Sequence, residues 1–283
     1  MDNYIEKIKQ ILDKTRWSQS KFAEEIGVTF ATVNRWLKGH TRPHPTQLRQ
    51  IDRVFKNTIG IAAVAEKDLR KMIGKVEARR KQLPVIRGIL QKDEVIDEFL
   101  LELTYNSDAI EGSTLSKKET EAIIFDKAAI KDKTLIEHLE AVNHASILKD
   151  IFSGKMNCPI DEQLIKTLHK NLMQGIREDA GEYAKHQRAI RGYDLILPHP
   201  DDIPEEMRLL IKKINSSRNH SIEHIAKMHA DFEAIHPFGD GNGRVGRLIM
   251  IIQLLDCGFA PCIISVNDKA KYYECLEYAQ KKS

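Results

Sequence analysis

His236-Pro237-Phe238-Gly239-Asp240-Gly241-Asn242-Gly243-Arg244-Val245-Gly246-Arg247 is the stretch that decides how this chain is read. A histidine is followed four residues later by a carboxylate, then by a Gly-Asn-Gly turn, then by two arginines three apart. A phosphate-handling site needs these parts: a base, a metal ligand, backbone N–H groups open to an anion, and guanidinium forks. From Val245 to Leu255 only Gly246, Arg247 and Gln253 interrupt an apolar run, which predicts a buried helix. The glycine-rich turn then stands at a helix N-terminus, where unpaired N–H groups and the dipole both favour negative charge. Arg244 and Arg247 are placed on one face of the first turns. Cations are disfavoured at a helix start, so their presence points to an anion beside them. A glycine turn between two core helices explains neither the carboxylate nor the paired arginines.

The stretch resembles the signature of the Fic (Fido-fold) family, His-x-Phe-x-Asp/Glu-Gly-Asn-Gly-Arg-x-x-Arg, at every fixed position. That resemblance implies an all-α Fido-fold helical bundle with a small β-hairpin flap. It also implies transfer of AMP from ATP to a Ser, Thr or Tyr hydroxyl of a target protein, with release of pyrophosphate. His236 becomes the catalytic base, and a neutral imidazole at pH 7 suits that task. Asp240 becomes the ligand of Mg²⁺ (or Mn²⁺), a hard cation that takes carboxylate and phosphate oxygens. The N–H groups around Gly241, Asn242 and Gly243 form an anion nest, and Arg244 and Arg247 hold the β- and γ-phosphates. Phe238 faces inward and anchors the loop.

Working outward, Ser107-Asp108-Ala109-Ile110-Glu111-Gly112 reads by itself as the end of a helix, with Ser116 capping the next. Glu111 then sits on the unfavourable end of the dipole. The run is similar to the family's inhibitory motif Ser/Thr-x-x-x-Glu-Gly/Asn, carried by Ser107, Glu111 and Gly112. The resemblance implies that Glu111 pairs with Arg247 and keeps it from the γ-phosphate of ATP. On the helix over 134–151, Asn143 and His144 are expected to make internal hydrogen bonds, as are His138 and, further on, His169. Residues 181–200, with Gly192, alternation around Tyr193, Leu195 and Leu197, and the prolines 198 and 200, predict a hairpin or extended flap. In the family such a flap receives the target by strand addition. Ile190 is the expected apolar clamp and Tyr193 the second. The chain departs from the family at Ala184, where an arginine is usual, and at Ala189. Tyr272 and Tyr273 resemble the family's Tyr-rich helix, which implies contact with the nucleotide base.

The N-terminus reads differently. Helices are expected over Tyr4–Lys14, Gln19–Ile26 capped by Ser18, and Phe30–Lys38 capped by Thr29, with glycines 27 and 39 ending the last two. Two short helices around a glycine turn make a helix-turn-helix, and the spacing of Ser18, Gln19, Ala23, Gly27, Val33, Trp36 and Gly39 resembles the phage-repressor (Cro/cI-like) class. That resemblance implies a DNA partner, with Thr29, Phe30, Ala31, Thr32, Asn34 and Arg35 toward the major groove. Gln19, Lys38 and Arg42 would meet phosphates. Such domains pair to read two half-sites, so a homodimer is a further expectation. A helical bundle used for protein contacts is the alternative.

The 283 residues carry a net charge of only +3, so the whole molecule does not demand a nucleic-acid partner. The first 56 residues, however, hold eleven Lys/Arg against six Asp/Glu, a local excess of five. The four cysteines lack metal-ligand spacing and read as reduced, mostly buried thiols. With no secretory h-region and no membrane span in the sequence, the cytoplasm is the expected compartment. Three segments result: a helix-turn-helix domain over 1–56, a helical linker over 57–94 and a catalytic domain over 95–283. Other readings remain: AMP removal or a bifunctional enzyme, transfer of another phosphate-containing group, or a DNA-binding regulator with a nucleotide-sensing second domain.

Overall fold

The structure, a computed structural model, describes residues 4–58, 66–82, 88, 92–157, 159–188, 197–216 and 221–281. Among these residues there are thirteen α-helices and no strand. Of the flap expected over 181–200, residues 189–196, with Ala189, Ile190 and Tyr193, lie outside the described residues, as does Cys158. The chain divides into two compact units, residues 1–70 and 71–283.

In the first unit, α1 (Tyr4–Thr15), α2 (Gln19–Glu25), α3 (Phe30–Leu37) and α4 (Pro45–Thr58) surround one small core. Ser18 caps α2 by accepting from the Lys21 N–H, and Thr29 caps α3 by accepting from the Thr32 N–H. Gly27 supplies the left-handed turn between them (φ +68°), after which Val28 N–H closes on Ala23 C=O at 2.9 Å. Ile8, Phe22, Val33 and Ile51 are fully buried, and Trp36 nearly so.

In the second unit, α5 (Glu66–Gln82), through which the division passes, precedes α6 (Asp93–Glu111) and α7 (Lys117–Asp126). After them come α8 (Leu135–Phe152), α9 (Glu162–Leu172), α10 (Ile203–Ile214), α11 (Ile222–Ile235), α12 (Asn242–Asp256) and α13 (Lys269–Lys281). α7 and α8 both begin with complete capping boxes, Ser116 with Glu119 and Thr134 with Glu137. Gly112, at φ +112°, ends α6 where the sequence expected it. α12 is the central element, buried almost all round from Val245 to Leu255. It packs on α11, α9 and α6, through a core that includes Leu100, Leu168, Phe232, Phe238 and Leu248. Gly246 is where α11 and α12 press together: a Cβ there would stand 2.6 Å from Glu233 Oε1 and 3.0 Å from the Phe232 ring. The cysteines correct the sequence reading. Cys257 is half-buried just past the end of α12, Cys262 is exposed in the loop that follows, and Cys275 is exposed on α13.

Candidate active site

The signature loop joins α11 to α12 and is held by groups from three directions. His236 is the left-handed C-cap of α11 (φ +50°), its N–H bonded to Phe232 C=O at 3.0 Å. Phe238 is fully buried and stacks on the His169 ring, with centroids 3.8 Å apart. His169 Nε2–H donates to Asp240 C=O at 3.1 Å, while Nδ1 accepts from Gly181 N–H at 2.8 Å. Burial lowers the His169 pKa to about 4, so the ring is neutral and its tautomer fixed by these two bonds. Beside the loop, Arg177 and Asp179 form a two-bond pair at 2.7 and 2.8 Å, against which a Cβ at Gly239 would press.

Asn242 does something the sequence did not suggest. Its side chain is buried, with Oδ1 accepting from Phe238 N–H at 2.9 Å and Nδ2 donating to Phe238 C=O at 2.8 Å. This side chain therefore clamps the loop backbone rather than facing a ligand. Gly241 is the N-cap of α12 at φ +75°, and no side chain caps the helix. The first N–H groups of α12 are thus left for an anion.

The two arginines diverge. Arg244 is buried, 2.6 Å from Glu140 Oε1 and 3.9 Å from Asp108 Oδ1, and does not line the cleft. Arg247 does. Its Nε donates to Ser107 Oγ at 2.9 Å, and its Nη2 to Ser107 C=O at 3.0 Å and Glu111 Oε1 at 2.8 Å. Burial opposes ionisation of Glu111, but the Arg247 charge and hydrogen bond outweigh it and hold the carboxyl below its usual range. The Glu111 carboxylate also stands where a Cβ of Gly243 would be.

A cleft of about 670 Å³ opens over these groups, lined by His236, Asp240, Gly243 and Arg247 on one side and by Glu111, Lys269, Tyr272 and Tyr273 among others. Asp240 is exposed, and one carboxylate oxygen accepts from Gly241 N–H at 2.6 Å. Burial lowers the pKa of His236, which keeps the imidazole neutral. Tyr272 turns its hydroxyl to His229 Nε2 at 2.7 Å and lies 3.5 Å from Arg247 Nη1. Glu233 is buried at the back of the cleft, where burial pushes its carboxyl up to about 8. Sequence reasoning missed Glu233, Asp108 and Glu140. Asp108 lay inside the quoted inhibitory run, but Glu140 meets Arg244 across 104 residues, a pairing no local pattern shows.

The internal histidines behave as expected. Asn143 Nδ2 donates to the Leu172 and Gln174 carbonyls, and His144 Nδ1 lies 3.1 Å from Thr104 Oγ1. In the first unit, Phe30, Ala31 and Arg35 of α3 are exposed, Thr32 and Asn34 half-buried, and Thr29 Oγ1 lies 2.9 Å from Thr32 Oγ1. Gln19 is half-buried at the start of α2.

Fold and site together define a helical domain with an uncapped, cleft-facing helix N-terminus whose arginine is occupied by a carboxylate of the same chain. Residues 159–254 match the model of the Fic/DOC family, and residues 8–60 match a helix-turn-helix model. The chain is 32% identical over 219 residues to the protein adenylyltransferase Fic of Nematostella vectensis, across 74% of this chain and 50% of that protein. It is 30% identical over 184 residues to the protein of the same name from Drosophila melanogaster, across 62% of this chain and 37% of that one. The matches thus span half or less of these relatives' length. A Fic-domain-containing signaling protein from Bacteroides thetaiotaomicron is similar in structure, with TM-score 0.62 and 26% identity over 72% of this chain and 80% of that one. The chain carries a Fic/DOC-family domain over residues 159–254 and a helix-turn-helix domain ahead of it. Among the described residues, no helix is long and apolar enough to cross a membrane.

Proposed function

We propose that the chain is a protein adenylyltransferase, held inactive by its own Glu111. The observation that carries this reading is the capture of Arg247 by Ser107 and Glu111 inside the cleft that His236 and Asp240 also line. ATP is the substrate, and a Ser, Thr or Tyr hydroxyl of a second protein is the acceptor. His236 takes the hydroxyl proton as the oxygen bonds to the α-phosphorus; the bond from that phosphorus to pyrophosphate breaks, and pyrophosphate leaves. The N–H groups at the start of α12 receive phosphate oxygens, and Arg247, once released, holds the γ-phosphate and aligns the leaving group. Arg244 supports the same site from beneath through its charge, since its guanidinium is already bonded to Glu140. Asp240 fits a hard divalent cation: it is a lone exposed carboxylate beside a phosphate nest, and Mg²⁺ takes one or two carboxylates plus phosphate oxygens. Bound there, Mg²⁺ or Mn²⁺ would offset phosphate charge.

In the first unit, the exposed, positively charged end of α3 supports DNA as a partner, with α3 in the major groove and two copies reading two half-sites. A cytoplasmic setting fits both partners.

The test of the catalytic reading is AMP transfer from labelled ATP in the presence of Mg²⁺ and cell lysate. In a Glu111→Gly background, adding His236→Ala should abolish transfer while ATP still binds; retained transfer removes His236 as the base.

A further inference from the structure

Two hydrogen bonds hold the carbonyls on either side of His236, and one of them comes from an arginine that the signature does not contain. Arg188 is 8% exposed. Its Nη2 donates to Pro198 C=O at 3.0 Å and to Ile235 C=O, the carbonyl just before His236, at 3.4 Å. Nearby, Ala184 N–H bonds to Pro237 C=O at 2.9 Å, the carbonyl just after it. His236 itself is non-glycine in left-handed backbone, a conformation that persists only where the surroundings fix it. Arg188 Nε and Nη1 are buried without a hydrogen-bond partner among the described residues. Among the described residues no carboxylate pairs with this guanidinium, and a buried, unpaired guanidinium is unfavourable for stability.

We propose that Arg188 is a positioning residue for His236: its guanidinium fixes the carbonyl of Ile235 against Pro198 and keeps a positive charge behind the imidazole. The inference rests on the adenylyltransferase reading for its kinetic arm only. Burial is the largest influence against the His236 imidazolium and the Arg188 charge adds to it, while a backbone bond with Glu233 and the charges of Glu111 and Asp240 favour the imidazolium. Removing Arg188 therefore moves the His236 pKa upward. A neutral base is then available over a narrower range, and the acid limb of the rate profile shifts to higher pH.

The test uses the full chain in two arms. In the first, NMR titration of the His236 imidazole, assigned by comparison with His236→Ala, is run on the parent protein, Arg188→Met and Arg188→Lys. The expected result is a higher His236 pKa in Arg188→Met and a value near the parent's in Arg188→Lys, which keeps the charge. An unchanged pKa in Arg188→Met overturns the proposal, and so does an equal rise in both variants, which indicates loss of packing alone. In the second arm, each variant is combined with Glu111→Gly and AMP transfer is measured against pH. Arg188→Met should lose about tenfold or more at pH 7, with its acid limb moved up and ATP binding retained, and Arg188→Lys should recover part of the rate. Loss of ATP binding together with rate, at unchanged limb position, contradicts the positioning role. If Glu111→Gly alone transfers no AMP, the function reading fails while the NMR arm still decides the case of Arg188.

Discussion

The carboxylate of Glu111 occupies the space a Cβ of Gly243 would fill, and from there it reaches Arg247 Nη2 at 2.8 Å. Gly243 and Glu111 are therefore complementary in shape: the glycine leaves the space beside the backbone open, and the Glu111 carboxylate fills it.

This relationship predicts a coupled pair of substitutions. Gly243→Ala should destabilise the parent chain by about 1–3 kcal/mol, as overpacking does. In a Glu111→Gly background the same change should cost less, because the obstructing carboxylate is gone. Urea denaturation of the four proteins of this cycle measures the coupling, and an additive result denies the contact.

Asn242→Ala removes both bonds to Phe238 and strands its buried N–H and C=O. At about 1–3 kcal/mol for each group left unsatisfied, the loss should total roughly 2–6 kcal/mol. The same denaturation experiment reads it. A loss of ATP affinity with unchanged stability would instead make Asn242 a ligand-facing residue.

Glu233 gives a pH signature of stability. Buried, its carboxyl is pushed up from 4.5 to about 8, while in the unfolded chain it titrates in the ordinary range. Between these values the native protein keeps a proton that the unfolded chain has lost, so the contribution of Glu233 to stability falls as pH rises through this window. Asp108, pushed up to about 7 by burial, acts in the same direction over a lower window. Glu233→Gln removes the penalty: its stability relative to the parent should climb from pH 4.5 to about 8 and then level off. Melting temperatures taken across that range check the sign.

On DNA, Arg35→Ala should weaken specific binding by about 1–3 kcal/mol and relax preference at one base position. Lys38→Ala should weaken all sequences evenly and reduce the salt dependence. Gel shifts with genomic fragments at two salt concentrations separate the two effects.

Much of this was legible in the sequence, for local reasons. Ser18, Thr29 and Ser116 cap helices because a short oxygen side chain before an apolar period can bond the next turn, and each does. The buried period of α12 and the end of α6 at Gly112 were readable in the same way. What was not readable is long-range. Arg244 and Arg247 share a helix face, yet Glu140 and Asp108 draw one away while Ser107 and Glu111 hold the other. The clamp role of Asn242 depends on the loop doubling back over four residues, a geometry the Gly-Asn-Gly pattern does not display. Arg188 resembled any other charged residue near a flap until its depth was known. Tyr272 lines the cleft, and the turn of its hydroxyl to His229 and Arg247 is a further long-range contact that no local pattern displays.

The central claim is that Glu111 keeps Arg247 from ATP. The most direct measurement is AMP transfer from labelled ATP by the parent chain and by Glu111→Gly, side by side with the same Mg²⁺ and lysate. A released charge-assisted hydrogen bond is worth about 1.5–3 kcal/mol, so Glu111→Gly should transfer AMP more than about tenfold faster. Equal rates from the two proteins would contradict the account.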